Sequence, residues 1–207
     1  MKPFRSISAP ACPLGLPNVD TDQLIPARFM QTPRDQGYGR FLLHDLRRDS
    51  SGALDAAFAL NDPRYADSGV LIAGSNFGCG SSREAAVYVL ADSGIRCVIA
   101  PRFGDIFASN AAKNGLLAAV VTDADLAALM SDKDVREGSN VDVDLESQTI
   151  RTTLLTVAFD IRPDRKQRLL NGWSDVDMTL SHRDAIEAFQ AKDRIARPWA
   201  QTPVLRG

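Results

Sequence analysis

The polar chemistry of this chain is concentrated in Gly74-Ser75-Asn76-Phe77-Gly78-Cys79-Gly80-Ser81-Ser82-Arg83-Glu84. Three glycines let the backbone come close to a ligand, and the segment opens what reads as a helix. The first turn of a helix offers unpaired N–H donors and a partial positive charge, which suits a carboxylate or a phosphate. Arg83 adds a planar fork that can grip a carboxylate with two hydrogen bonds. The same residues also fit a capping box, with Ser81 accepting from the Glu84 N–H while Glu84 reaches back. A cap needs neither the glycines nor the arginine, and the two roles can coexist.

Nucleotide patterns fit the segment poorly. The G-x-x-x-x-G-K-[ST] loop is absent, and Arg83 stands where G-x-G-x-x-G requires its third glycine. Cys79 reads as a small loop residue, because neither His44 nor His182 is near it in sequence to act as a base. A second polar segment, Asn18-Val19-Asp20-Thr21-Asp22-Gln23-Leu24-Ile25-Pro26-Ala27-Arg28-Phe29, sets turn formers before an apolar pair and an arginine. No further oxygen ligands alternate along it and no Glu closes a 12-residue loop, so a calcium site is excluded. Asp20 and Asp22 read as an Asx-type turn.

These residues must be held by regular elements. Val70-Leu71-Ile72-Ala73 and Cys97-Val98-Ile99-Ala100 are apolar runs ended by Gly74 and Pro101, which predicts two buried strands. Between them, residues 82–93 carry Ala86, Val89 and Leu90 at helical spacing and stop at Gly94. Residues 105–114 predict a second helix with Gly115 at C′, and residues 116–121 a third strand, giving a βαβαβ core with parallel pairing. Residues 140–146 and 149–152 alternate with period two across Ser147-Gln148 and predict an added hairpin. Two late helices are expected, over 164–170 and over 183–191, the second capped by Ser181 with Asp184. Gly37 to Ser68 mixes Gly, Asp, Arg and Pro with short apolar pieces and reads as mobile surface. The class is mixed α/β, with no internal repeat, and one domain over 1–207 is the expectation.

Composition excludes several functions. The 207 residues carry 24 Lys and Arg against 26 Asp and Glu, a formal charge of −2, so no basic field awaits nucleic acid. No apolar stretch is long enough to span a membrane, and the start lacks the apolar run of a signal peptide, which predicts a cytoplasmic protein. Cys12, Cys79 and Cys97 are odd in number and far apart, which suits neither a disulfide framework nor a zinc or redox pair, and no metal-ligand spacing occurs.

The segments 18–29, 76–84 and Arg102-Phe103-Gly104-Asp105-Ile106-Phe107, with Leu169-Leu170-Asn171-Gly172 and the closing Asp184-Ala185-Ile186, resemble the small subunit of bacterial 3-isopropylmalate dehydratase in order and spacing. The resemblance covers nearly the whole chain. It implies the three-layer β/β/α swivelling domain of the aconitase superfamily. It implies a hydro-lyase that exchanges 2- and 3-isopropylmalate through 2-isopropylmaleate in leucine biosynthesis, acting on a small dicarboxylic hydroxy acid. A [4Fe–4S] cluster would be held by a large-subunit partner, not by this chain. By matched position Ser81 would be the catalytic base, Ser82 and Arg83 would bind a substrate carboxylate, and Arg28 would contact a second one. The region from Phe29 to Tyr38 would help to choose the substrate.

Two positions depart from the family pattern. Ala85 stands where S-R-E-H-A has histidine, and Leu46 where D-W-R has tryptophan. Losing a titratable group beside the loop bears on the pH profile or on the acid accepted, so citraconate, methylmalate and dimethylmaleate hydratases stay open as alternatives. Two further readings belong to other classes: a noncatalytic module that binds an organic anion, and a nucleotide-binding flavodoxin-like domain.

Overall fold

The computed structural model describes residues 1–200. In chain order its strands and α-helices are β1 (Ser6–Pro13), α1 (Thr21–Leu24), β2 (Val70–Ile72), α2 (Ala85–Asp92), β3 (Cys97–Ala100), α3 (Asp105–Lys113), β4 (Leu117–Val120), α4 (Asp123–Ser131), α5 (Lys133–Glu137), β5 (Asn140–Asp144), β6 (Thr149–Arg151), β7 (Thr156–Ala158), α6 (Pro163–Asn171), α7 (Asp175–Leu180) and α8 (Arg183–Ala196). Short 3-10 turns, including Ala27–Phe29 and Tyr38–Phe41, fill the stretch between α1 and β2.

The expected β2–α2–β3–α3–β4 core is present, with β2, β3 and β4 parallel. Each of these strands is a short, largely apolar run, as buried parallel strands require. The sheet runs β4-β3-β2-β1-β5-β6-β7. β1 links its two halves: Ser6–Pro10 pair antiparallel with β5, and Ala11–Pro13 pair parallel with β2. The expected hairpin is β5–β6, and β7 extends it. Main-chain bonds between Val120 and Asp160, 3.0 and 2.7 Å, join β4 to the segment after β7, so the sheet closes on itself.

Side-chain alternation then divides the core. Leu71, Ala73, Val98 and Ala100 pack on one face with Ala86, Val89 and Leu90 of α2 and Phe107 and Ala111 of α3. Val70, Ile72, Cys97, Ile99, Leu117 and Ala119 pack on the other with Val141, Val143, Ile150 and Val157 of the antiparallel half. Helices, parallel strands and antiparallel strands are thus the three layers expected.

Two expectations need correction here. Gly37 to Ser68 is irregular but not merely surface, since Tyr38, Phe41, Leu42, Leu43 and Tyr65 are buried in the helical-side core. Ser181 does not cap α8: it ends α7, and its hydroxyl donates to the Met178 carbonyl. The capping box lies one helix earlier, where Ser174 and Asp177 bond reciprocally. No described helix is long and apolar enough to cross a membrane.

Candidate active site

Three loops meet beyond the C-terminal ends of β1, β2 and β3, the place where ligands gather in open α/β sheets. They continue the ladder of the strands that lead into them. The Gly78 N–H donates to the Val19 carbonyl at 2.7 Å, the Thr21 N–H to Cys79 at 3.0 Å, the Phe77 N–H to Arg102 at 3.0 Å and the Gly104 N–H to Phe77 at 2.9 Å. The contact is tight enough to dictate glycine. A Cβ on Gly104 would lie 2.4 Å from the Gly78 carbonyl oxygen, and one on Gly78, at φ +70, would lie 2.2 Å from Phe107 Cγ.

The cleft between these loops has a volume of about 380 Å³ and is lined by Thr21, Gly78 to Ser81, Arg83, Gly104, Asp105, Ile106 and Phe107, within the range of small-molecule sites. Ser81 is exposed at its rim, and Ser82 beside it is exposed too. Arg83 is mostly buried and pairs with Asp22, which leaves the rest of its fork for a ligand. Within the described residues the N–H groups of Gly80, Ser81, Ser82, Arg83 and Glu84 donate to no protein acceptor. Consecutive unpaired amides of this kind, leading into the first turn of a helix, favour negative charge.

The capping box over 81–84 does not form. α2 begins at Ala85, Glu84 makes no cap bond, and its carboxylate accepts from Asn114 Nδ2 at 2.9 Å. The box lies instead at Asp20, whose carboxylate accepts from the Gln23 N–H at 2.7 Å while Gln23 Oε1 accepts from the Asp20 N–H at 2.9 Å. Asp20-x-x-Gln23 is the signal that could have revealed it.

The structure brings Ser81, Ser82 and Arg83 together and sets Arg28 outside the cleft wall. Arg28 is held by Asp45, Nη1 to Oδ2 at 2.9 Å, and lies over the Phe29 ring at 4.5 Å. His44 Nδ1 sits 2.9 Å from the same carboxylate. The Arg28 guanidinium first, and then His44, hold the Asp45 carboxyl down at about 2. None of residues 29–38 lines the cleft; Phe29 stacks on Phe41 at 4.2 Å, and Tyr38 Oη donates to the Met30 carbonyl. The contacts of Thr21 and Asp22 with the loop are not legible in the sequence, because their partners lie 60 and 61 residues away.

A larger cavity, about 510 Å³, flanks the far side of the 102–105 turn and contains Arg102, Arg162 and Arg165. Its cations are offset by Asp105 and Asp160 and by the pairing of Arg162 with Asp164. It has no serine or cysteine in its wall.

The thiols of this chain do not fit an iron–sulfur cluster. Cys12 and Cys97 point to opposite faces of the parallel strands, and Cys79 lies in the loop. Burial pushes the Cys12 thiol up to about 12 and the Cys97 thiol higher still, away from the thiolate a metal requires. Among the described residues no three His, Cys, Asp or Glu side chains converge as a metal site.

A closed mixed sheet with this strand order and a cleft edged by unpaired amides at its parallel strand ends defines a domain of the aconitase C-terminal class, and residues 1–124 match the family model described as the aconitase C-terminal domain. Residues 175–202 match the model for the C-terminal domain of the 3-isopropylmalate dehydratase small subunit. The 3-isopropylmalate dehydratase small subunit of Caulobacter vibrioides is 46% identical over 204 residues, 97% of this chain and 100% of the relative. That of Rhodospirillum centenum is 43% identical, covering 97% and 99%. The crystal structure of 3-isopropylmalate dehydratase from Methanocaldococcus jannaschii is similar at a TM-score of 0.62 and 27% identity, over 89% of this chain and 99% of that one. The chain belongs to the family of 3-isopropylmalate dehydratase small subunits.

Proposed function

We propose that the 380 Å³ cleft is the small-subunit half of a 3-isopropylmalate dehydratase active site, and that the chain works with a large subunit as a cytoplasmic hydro-lyase of leucine biosynthesis. The observation that carries this reading is Ser81, exposed at the rim of a cleft whose wall holds Arg83 and beside a run of unpaired amides.

The reaction exchanges 2- and 3-isopropylmalate through 2-isopropylmaleate. A proton leaves the carbon next to one carboxylate, hydroxide leaves the adjacent carbon, and water adds back in the opposite sense. Ser81, as an alkoxide, takes that proton and becomes a hydroxyl, then returns the proton on rehydration. A serine hydroxyl is a very weak acid, so its alkoxide needs nearby positive potential, which the free N–H groups and Arg83 provide. Ser82 and Arg83 hold one carboxylate, with Asp22 keeping the Arg83 fork in place. Arg28 reaches the second carboxylate by exchanging Asp45 for it. A [4Fe–4S] cluster in the large subunit would supply the Lewis acidity that loss of hydroxide requires. This chain contributes the base and the carboxylate grips.

The test is anaerobic co-expression with the large subunit and assay of unsaturated-acid formation from 3-isopropylmalate, from citramalate-type acids and from citrate. Ser81→Ala is expected to lower kcat by roughly 10²–10⁴-fold. Arg83→Ala is expected to lower kcat/KM by roughly 10–100-fold, the worth of a charged hydrogen-bonded contact. Near-normal turnover by both variants would remove these assignments, and preference for a smaller acid would remove the leucine-pathway reading while keeping the mechanism.

A further inference from the structure

The loop that carries Ser81 is costly to order. Gly78 and Gly80 both sit at positive φ, +70 and +91, and glycine is the residue that surrenders most backbone freedom when ordered. A base must nevertheless be held within a fraction of an ångström of its target, since misplacement by about 1 Å costs about 100-fold in rate. Something outside the loop has to brace it.

Thr21, 2% exposed at the first position of α1, bonds the loop on both sides of Gly80. Its N–H donates to the Cys79 carbonyl at 3.0 Å, its Oγ1 lies 3.6 Å from where a Gly80 Cβ would be, and its hydroxyl donates to the Ser81 carbonyl at 2.9 Å. Across a trans peptide the C=O and the following N–H point in opposite directions, and the described residues contain no cis peptide. Tying the Cys79 and Ser81 carbonyls to α1 therefore turns the Gly80 and Ser82 N–H groups away from it, and those two amides are unpaired. One side chain and one amide thus set both the place of Ser81 and the direction of donors on either side of it.

We propose that Thr21 is a positioning residue of the reaction, its hydroxyl holding the Ser81 peptide so that the Ser81 side chain and the flanking N–H groups keep their catalytic orientation. The inference rests on the reading of Ser81 as the base. Valine has nearly the same shape as threonine but cannot donate, and serine keeps the donor.

The test compares Thr21→Val and Thr21→Ser in the complex with the large subunit. Thr21→Val is expected to lower kcat by about 10–100-fold with KM within about twofold, and to raise the deuterium isotope effect for substrate labelled at the carbon that loses its proton. Thr21→Ser is expected to restore most of the rate, which a role confined to packing the methyl group would not do. Thr21→Ala carries the same expectation if the valine variant fails to assemble. Turnover of the Val or Ala variant within twofold of the parent, or a Ser variant as slow as either, would overturn the proposal. Ser81→Ala in the same assay separates the two claims: an active Ser81→Ala enzyme removes the base itself, whereas an inactive one beside a fully active Thr21→Val enzyme removes only the brace.

Discussion

Gly78→Ala is the sharpest test of how tightly the three loops are joined. Alanine at φ +70 costs about 1–2 kcal/mol through its Cβ and carbonyl crowding. The new methyl would also stand 2.2 Å from Phe107 Cγ and 2.7 Å from Phe107 Cβ. That ring cannot swing aside freely, because it is 3% exposed, meets Phe77 edge to face at 5.4 Å and stacks on Phe103 at 6.2 Å. Overpacking of a core in this way costs about 1–3 kcal/mol. The two contributions together come to about 2–5 kcal/mol, or a fall in Tm of roughly 4–20 °C for a chain of this length. Gly52 supplies the control, with φ +85 and nothing within 4 Å of its added Cβ, so Gly52→Ala carries the conformational cost alone. Urea and thermal unfolding of both variants, followed by circular dichroism, should place Gly78→Ala below Gly52→Ala by the overlap, about 1–3 kcal/mol. Equal stability of the two would show that Phe107 gives way without cost and that the loop junction is not rigid.

The thiols should differ sharply. In the native chain at pH 8, a thiol reagent is expected to modify Cys79, while buried Cys12, whose thiol is pushed up to about 12, and Cys97, raised by full burial, react only on unfolding; comparable native rates for all three would contradict the burial argument. The Arg28–Asp45 pair should leave its mark at low pH. With the folded Asp45 carboxyl at about 2 and the unfolded one near 3.9, its stabilisation is complete above about pH 4 and is lost as pH falls toward 2. Asp45→Asn should flatten that segment of the stability–pH curve. Because the side chain is 52% exposed, solvent screening should keep the change in Tm at pH 7 below about 3 °C, and a larger drop would mean that Asp45 supports more than Arg28 and His44.

The parts that sequence reading recovered share one property: their signal is local. Val70–Ile72, Cys97–Ala100 and the helices after them show their period within a dozen residues, so the parallel core and the hairpin could be placed, Cys97–Ala100 at both ends and the other boundaries within three residues. β1 escaped because Pro10 and Pro13 argue against a strand. They are tolerated because Pro10 marks the end of the antiparallel pairing and Pro13 the end of the parallel one. The 81–84 cap failed for the opposite reason. Its pattern is local, but Glu84 found a better partner in Asn114, thirty residues on. The buried aromatics of the 37–68 stretch are masked by their polar neighbours, although Tyr38 and Phe41 open and close one 3-10 turn and Tyr65 closes another, all three against the core.

The candidate site follows the same division. Ser81, Ser82 and Arg83 are neighbours in sequence, and their chemistry is legible from residue type. What makes them a site is supplied from elsewhere: Thr21 and Asp22 on α1 and Gly104 and Phe107 at the start of α3, each reaching the loop from a different strand end. A glycine-rich loop gains close approach at the expense of rigidity, and here the rigidity comes back from the two flanking loops through main-chain bonds and one buried hydroxyl. If that division is right, substitutions in α1 and at Gly104 should impair turnover in proportion to how far they release Ser81, and should do so with the Ser81-Ser82-Arg83 triplet itself untouched.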